Sequence, residues 1–150
     1  DVMPTLLDVA GTKIPSSITG RSLLPLMRGE DAAWRAVLHG EHSGFNDYRR
    51  DSNHFLIDER HKYIWFSQTG RELLFDLEAD SLETHDLSAQ RDLEPWRGRL
   101  MQALRDRPEG FTDGRRLIPG RPHDHMVPGF APPGLVLTRR IRPPLPPAQA

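Results

Sequence analysis

Histidine and acidic side chains are the residues of this chain whose types and spacing could support chemistry. The run His39-Gly40-Glu41-His42 places two imidazoles and a carboxylate close together. An imidazole beside a carboxylate suits proton transfer, or contact with an anion, near neutral pH. In an extended segment His39 and Glu41 share one face and His42 lies on the other, because successive side chains alternate. We therefore consider His39, Glu41, His42 and the nearby His54 as candidates for lining a substrate cleft.

The same residues also have an interpretation without chemistry, in which His39 and His42 are a surface or strand-end pair. His54 is then expected at a sheet edge or in a turn. A second cluster, His123-Asp124-His125, puts two imidazoles on one face but lies in a proline-rich segment. A zinc site needs three or four converging ligands with further support around them. We therefore predict no metal site in either cluster, and no catalytic residue within this chain.

Composition excludes several classes of function. The formal net charge of −1 gives no electrostatic footprint for nucleic acid and no basic surface for a membrane. The absence of cysteine excludes disulfides and thiol nucleophiles but leaves the compartment open. Glycine-rich phosphate loops and the GxSxG nucleophile motif are also absent. The chain begins at Asp1 without a methionine, so we expect it to be a piece of a longer protein.

The central part of the chain predicts an antiparallel meander. Three apolar runs separated by short polar turns indicate strands at residues 55–57, 62–66 and 72–77, and a further strand is expected at 36–39. Downstream, apolar residues recur at helical spacing and predict a helix over residues 90–107 that packs on the sheet. These apolar residues are Leu93, Trp96, Leu100 and Leu104. The sequence therefore predicts an α+β fold with about four strands.

The two ends of the chain have different characters. Residues 1–11 and 23–29 indicate short helices, with Asp1 able to cap the first and Gly11 able to end it. The apolar face of the first helix requires cover, so we expect it to pack against a larger body. Residues 119–150 are rich in proline and glycine, which predicts an extended or disordered tail.

Several segments, taken together in their order and spacing, resemble the sulfatases. Residues 1–11 (DVMPTLLDVAG) are similar to the D-[IVL]-x-P-T-[LI]-L-[DE]-x-A-G helix of that family. Residues 20–26 (GRSLLPL) resemble its G-x-S-L-x-P-L segment. Residues 62–65 (KYIW) and 74–80 (LFDLEAD) resemble its K-Y-I strand and the start of its L-[FY]-[DN]-L-x-x-D-P-x-E-x-x-N-L hairpin and turn.

The rest of that last motif is kept only in part. Glu83 and Leu87 stand in their usual places, whereas Ser81 replaces the usual proline and Asp86 the usual asparagine. These departures bear on the rigidity of the turn rather than on chemistry. The resemblance covers residues 1–118 and is closest to the bacterial arylsulfatase branch of the alkaline phosphatase superfamily.

The resemblance implies a C-terminal subdomain, a small four-stranded antiparallel sheet with a helix packed across it. In that family a large N-terminal domain carries a C/S-x-P-x-R nucleophile, converted to formylglycine, and the ligands of a Ca²⁺ ion. Neither can be mapped onto this chain. The string LIPGR at residues 117–121 has leucine where the nucleophile belongs, so it is interpreted as a coincidence.

The implied function is support of a catalytic domain that hydrolyses a sulfate ester, with the nucleophile and Ca²⁺ outside this chain and the chain alone inactive. Two alternatives stay open. One is a stand-alone interaction module without catalysis, which docks through the first helix and the proline-rich tail. The other is the same subdomain of a phosphonate or phosphate ester hydrolase.

Overall fold

A computed structural model describes residues 1–30, 33–44 and 50–122 of the chain. The chain divides into two compact units, Asp1–Arg35 and Ala36–Ala150. The cluster at residues 123–125 and most of the predicted tail lie outside the described residues. The predicted domain boundary at residue 118 stays a prediction. No helix within the described residues has the length and apolar character needed to cross a bilayer.

The first unit contains two short helices, α1 at Val2–Val9 and α2 at Leu24–Met27, which confirms the short N-terminal helices. Gly11 follows α1 with a φ of 65°, and Gly29 follows α2 with a φ of 71°. Both helices therefore end at a left-handed glycine, a conformation that costs glycine nothing sterically. One face of α1 carries exposed apolar side chains. These are Val2, Met3, Leu6 and Val9.

The carboxylate of Asp1 pairs with arginine and does not cap α1. It accepts hydrogen bonds from Arg35 Nη1 at 2.7 Å and Nη2 at 2.9 Å, and from the backbone N–H of Arg21 at 2.8 Å. The predicted side-chain cap is therefore wrong, because a bidentate guanidinium is a strong competitor for both oxygens. Thr5 instead links the two helices. Its hydroxyl donates to the Asp1 carbonyl at 2.7 Å and accepts from Leu23 N–H at 2.9 Å.

The second unit is built on a four-stranded antiparallel sheet whose spatial order follows the chain. Its strands are β1 at Leu38–His42, β2 at Asn53–Ile57, β3 at His61–Phe66 and β4 at Glu72–Asp76. The predicted meander is confirmed, with ends that shift by at most two residues. The strand predicted at 36–39 is placed too early. β1 instead continues through the whole His-Gly-Glu-His run, because these residues pair in register with β2.

The helix α3, at Glu94–Leu104, packs on one face of the sheet. It is shorter than the predicted 90–107 at both ends. It begins at Glu94, so that Pro95 lies in its first turn, where a missing N–H costs no hydrogen bond. The apolar side chains that predicted the helix are buried with those of this face. The cluster consists of Leu56, Tyr63, Trp65, Leu74, Leu93, Trp96, Leu100, Leu104 and Phe111. Helix and sheet thus share one core.

The opposite face of the sheet, called here the second face, is also apolar. Its side chains Phe55, Ile57, Ile64 and Leu73 are half-buried. Gly40 lies beneath the ring of Phe55, since a Cβ added at Gly40 would come within 2.2 Å of Phe55 Cζ. In the described part of the second unit, residues 36–44 and 50–122, no helix covers this face.

The exit of β4 is held by the carboxylate of Asp76. Its Oδ2 accepts from Arg60 Nε at 2.9 Å and Nη2 at 2.6 Å, and its Oδ1 accepts from the N–H groups of Glu78 and Ala79, each at 3.1 Å. Hydrogen bonding from Arg60, followed by that from the backbone N–H groups, lowers the pKa of Asp76 from 3.8 to about 2. This carboxylate therefore joins the β2–β3 turn to the segment after β4.

We expect Asp76→Asn to lower the free energy of unfolding at neutral pH, and to lower it by less in acid. A carboxyl group with a lowered folded-state pKa stabilises the fold fully above about pH 4 and loses that contribution as the pH falls toward 2. The gap in free energy of unfolding between wild type and Asp76→Asn should therefore narrow from pH 5 to pH 2, as measured by urea denaturation. Glu78→Gln, at a more exposed partner of Arg60, serves as control and should change little. A gap that does not vary with pH would contradict this account.

Candidate functional site

Three of the four predicted cleft residues, His39 and Glu41 on β1 and His54 on β2, lie on the face of the sheet that α3 covers. The register places Glu41 opposite His54, and His39 opposite Leu56. Residues directly opposite in an antiparallel pair share a face, and diagonal neighbours are within reach of long side chains. His39 Nε2 lies 3.3 Å from His54 Nδ1, and Glu41 Oε2 lies 3.6 Å from that same nitrogen. Three of the four candidates therefore converge.

His42 is the fourth candidate, and it does not join this cluster. It pairs with Asn53 at the end of β1 and faces the opposite side of the sheet from His39 and Glu41. The alternation of a strand predicted this separation, and the register confirms it. A role of His42 in a cleft stays a prediction, as does that of the other three residues.

His54 is deeply buried, with 4% of its surface exposed. Its ring lies nearly parallel to that of His39, with centroids 5.4 Å apart, and to that of Trp65 at 6.1 Å. The ring of Phe111 meets it edge-on at 4.9 Å. The expectation that His54 sits at a sheet edge or in a turn is therefore wrong. β2 is an inner strand. His54 lies two residues before the buried Leu56, so both side chains point toward the core.

Two charged residues beyond the C-terminal end of α3 complete the cluster. Arg107 Nη1 lies 3.1 Å from Glu41 Oε2, and Arg107 also pairs with Glu109, at 2.8 Å from Nη2 to Oε1. The hydrogen bond to Glu109, with the charge of Glu41, raises the pKa of Arg107 above its ordinary range. Arg107 therefore stays charged and offsets part of the negative charge of Glu41 beside the histidine pair.

The protonation of His39 follows from these surroundings. The residue as a whole is exposed, but its ring lies against His54, and this burial is the main reason that the pKa of His39 is lowered. The charge of Glu41 acts in the opposite direction, and that of Arg107 lowers the pKa further. His39 is accordingly neutral near pH 7, so it can donate or accept a hydrogen bond but does not attract an anion by charge.

Sequence reasoning did not identify Arg107, Glu109 and Phe111 as parts of this cluster. Arg107 is the last residue of the helix predicted over residues 90–107, a position that by itself indicates no partner. Its contact with Glu41 spans 66 residues of chain, and no local pattern signals a pair that distant. Phe111 lies in the irregular segment after α3, where hydrophobic periodicity carries no information.

A separate polar network lies on the same face, nearer β4. The buried hydroxyl of Tyr63 donates to Glu72, whose carboxylate also accepts from Arg97 Nη2 at 2.6 Å and Nε at 2.8 Å. The surroundings of Glu72 include a groove of about 350 Å³. Because the tyrosine, the carboxylate and the guanidinium satisfy one another, we interpret this network as structural.

The arrangement of the acidic and histidine side chains decides whether the described residues could hold a metal ion. Among residues 1–30, 33–44 and 50–122, no three or more His, Asp or Glu side chains are arranged to hold a metal ion. The described residues therefore do not fit the Ca²⁺ site that the resemblance implies. Within the histidine cluster, the guanidinium of Arg107 already occupies the position beside Glu41 where a cation would be favoured.

The fold and the order of its segments define a class, the C-terminal subdomain of sulfatases, in which one helix packs on a four-stranded antiparallel sheet. The chain belongs to the family described as N-sulphoglucosamine sulphohydrolase, C-terminal, which matches residues 1–109. The resemblance predicted from the sequence is thereby confirmed.

Individual relatives agree with this family. The arylsulfatase of Clostridium perfringens is 41% identical over 126 residues, which cover 81% of this chain and 25% of that protein. A solved protein in complex with its substrate D-glucosamine-2-N,6-O-disulfate is similar at a TM-score of 0.58 and 25% identity, over 70% of this chain and 22% of that one. A phosphonate monoester hydrolase from Silicibacter pomeroyi is similar at a TM-score of 0.55 and 27% identity, over 70% of this chain and 24% of that one.

The lengths of these relatives bear on what the chain does. The chain spans about a quarter of the length of the curated relatives it matches most significantly. Activities of those whole proteins are therefore properties of much longer chains.

Proposed function

We propose that this chain is the C-terminal subdomain of a sulfuric ester hydrolase of the arylsulfatase type. The observation that carries the proposal is the 41% identity with an arylsulfatase, which extends over 81% of the chain. In this proposal the chain supports a catalytic domain formed by the remainder of the same protein. The substrate of the whole enzyme is a sulfate ester.

Two apolar surfaces support a role in packing against another domain. The exposed face of α1 carries Leu6, 64% exposed, and Val9, 65% exposed. The second face of the sheet carries half-buried aromatic and aliphatic side chains, including Phe55 and Ile64. Apolar surface gains roughly 25 cal/mol for each Å² removed from water. A catalytic domain of the same protein is the cover we propose for both surfaces.

The chemistry is proposed to reside in that catalytic domain. The formylglycine nucleophile and the Ca²⁺ ion implied by the family resemblance would lie there. The contribution of this chain is to help wall the cleft through His39 and Glu41, with the buried His54 behind His39 and with His42 on the other side of β1. Positioned hydrogen-bonding groups of this kind orient a substrate and select among substrates.

A phosphonate or phosphate ester hydrolase is the second candidate. The similarity to the phosphonate monoester hydrolase, at a TM-score of 0.55 and 27% identity, favours it. The two candidates share this subdomain, so a nucleophile outside the chain distinguishes them. Separately, a C/S-x-P-x-R motif a few hundred residues before Asp1 in the same protein would support an enzyme. An initiator methionine directly before Asp1 would instead favour the stand-alone interaction module.

The isolated chain provides the matching biochemical test. We expect purified residues 1–150 to hydrolyse no aryl sulfate, because the proposed nucleophile and metal ligands lie in another domain. The measurement is release of 4-nitrophenol from 4-nitrophenyl sulfate, with the full-length protein as the positive control. Turnover by residues 1–150 that a chelator abolishes would contradict the division of roles proposed here.

A further inference from the structure

The burial of His54 is unexpected for packing alone. On the same face of the sheet, the next position along β2 is the buried Leu56, and the position opposite on β3 is the buried Trp65. A buried polar group costs about 1–3 kcal/mol unless it is hydrogen bonded. His54 is 4% exposed between the rings of Trp65 and Phe111. One partner of this buried imidazole is His39, whose Nε2 lies 3.3 Å from His54 Nδ1.

The contact between the two rings indicates that His54 fixes the orientation of the His39 ring. His39 Nε2 and His54 Nδ1 face each other at 3.3 Å, so one nitrogen donates and the other accepts. Only one proton therefore lies between them. The two ring planes are nearly parallel, at 22°, with centroids 5.4 Å apart, as expected for two imidazoles that meet edge to edge. This contact, with His54 itself held in the core, restricts the orientation of His39.

The charges around the pair favour a single state. Glu41 faces the pair from β1, and its charge is partly neutralised by Arg107, which also pairs with Glu109. The rings of Trp65 and Phe111, which also contact His54, carry no charge. Burial and the charge of Arg107 lower the pKa of His39, while Glu41 raises it. Around neutral pH His39 is therefore neutral.

We propose that His54 is a positioning residue, which holds His39 in one orientation so that His39 Nδ1 meets the substrate. This inference rests on the proposed function. A neutral imidazole hydrogen-bonds an uncharged oxygen, so the alcohol portion of the ester is the group it contacts, rather than the sulfate. His54 itself does not touch the substrate and acts through His39.

The test uses the full-length protein and variants at His54. His54→Leu keeps the apolar packing but removes Nδ1, and should lower kcat/KM for 4-nitrophenyl sulfate by roughly 10- to 100-fold. His54→Asn places an amide near the position of Nδ1, and should recover much of that loss. His39→Leu should cost as much as His54→Leu, and the double variant no more than either, because the pair acts as one unit. His85→Ala, an exposed histidine in a turn, is the control and should match wild type.

A second readout does not depend on turnover. In protein labelled with ¹³C at histidine Cε1, the resonance absent from His39→Leu reports His39, and its chemical shift should change in His54→Leu, where the contact between His39 Nε2 and His54 Nδ1 is lost. Unchanged kinetics in His54→Leu together with an unchanged His39 resonance would overturn this inference alone. An equal loss in His54→Leu and His54→Asn would also overturn it, because it would indicate a merely structural role. A full-length protein that hydrolyses no ester would contradict the proposed function, and the substrate contact with it.

Discussion

Leu100→Ala is expected to lower the free energy of unfolding by about 2–5 kcal/mol, because it opens a cavity between α3 and the sheet. Leu100 has none of its surface exposed and belongs to the core cluster with Tyr63 and Leu104. These neighbours come from a strand and a helix that are each held by other contacts, so the cavity cannot collapse easily. Chemical denaturation followed by circular dichroism measures the loss.

Gly98→Ala, in the same helix, is a control whose expected effect on stability is opposite to that of Leu100→Ala. Gly98 is exposed, and a Cβ built there meets no atom within 4 Å. Alanine in a helix interior is more stable than glycine by roughly 0.5–1 kcal/mol, so this variant should stabilise the chain. A loss under about 1 kcal/mol for Leu100→Ala, or destabilisation by Gly98→Ala, would contradict the position assigned to α3.

Gly40→Ala is the second variant with a large expected effect. The added Cβ would lie 2.2 Å from Phe55 Cζ and 2.6 Å from Phe55 Cε2, well inside contact distance. The ring must therefore move off the β1–β2 pair, which overpacking data suggest costs about 1–3 kcal/mol. Because Gly40 lies between His39 and Glu41, the same shift should disturb the histidine pair. Chemical denaturation of the variant measures the cost.

Phe55→Leu shows whether the clash is the cause. Leucine removes the ring atoms that overlap the added Cβ, so Gly40→Ala should cost less in a Phe55→Leu background than in wild type. The difference is the coupling energy of a double-mutant cycle. Strictly additive costs would contradict the explanation, because they would place the effect of Gly40→Ala in the strand backbone rather than in the ring.

Most of the fold could be predicted because its elements carry local signals. The meander was recognisable from aromatic and β-branched runs between turn residues, and α3 from the spacing of Trp96, Leu100 and Leu104. The first strand begins two residues later than predicted, because the run from Leu38 to His42 is mostly polar and carries no hydrophobic pattern. This run forms a strand through its pairing with β2. The ion pair that Asp1 forms in place of a helix cap could not be predicted either, since its partner Arg35 lies far along the sequence.

The candidate site could be predicted only in part. Alternation placed His39 and Glu41 on one face, but the burial of His54 depends on which face α3 covers. Arg107 reaches Glu41 from beyond the end of α3, a contact set by how the helix crosses the sheet. Both are properties of the packed tertiary structure, and a single sequence carries no local signal for either.

The central claim is that this chain completes a sulfuric ester hydrolase, and one comparison tests it most directly. The full-length protein should be assayed on 4-nitrophenyl sulfate, on the phenylphosphonate monoester of 4-nitrophenol and on 4-nitrophenyl phosphate under the same conditions. The account predicts the highest kcat/KM on the sulfate ester, with release of inorganic sulfate. A protein that hydrolyses the phosphonate or phosphate ester and leaves the sulfate ester intact would contradict it.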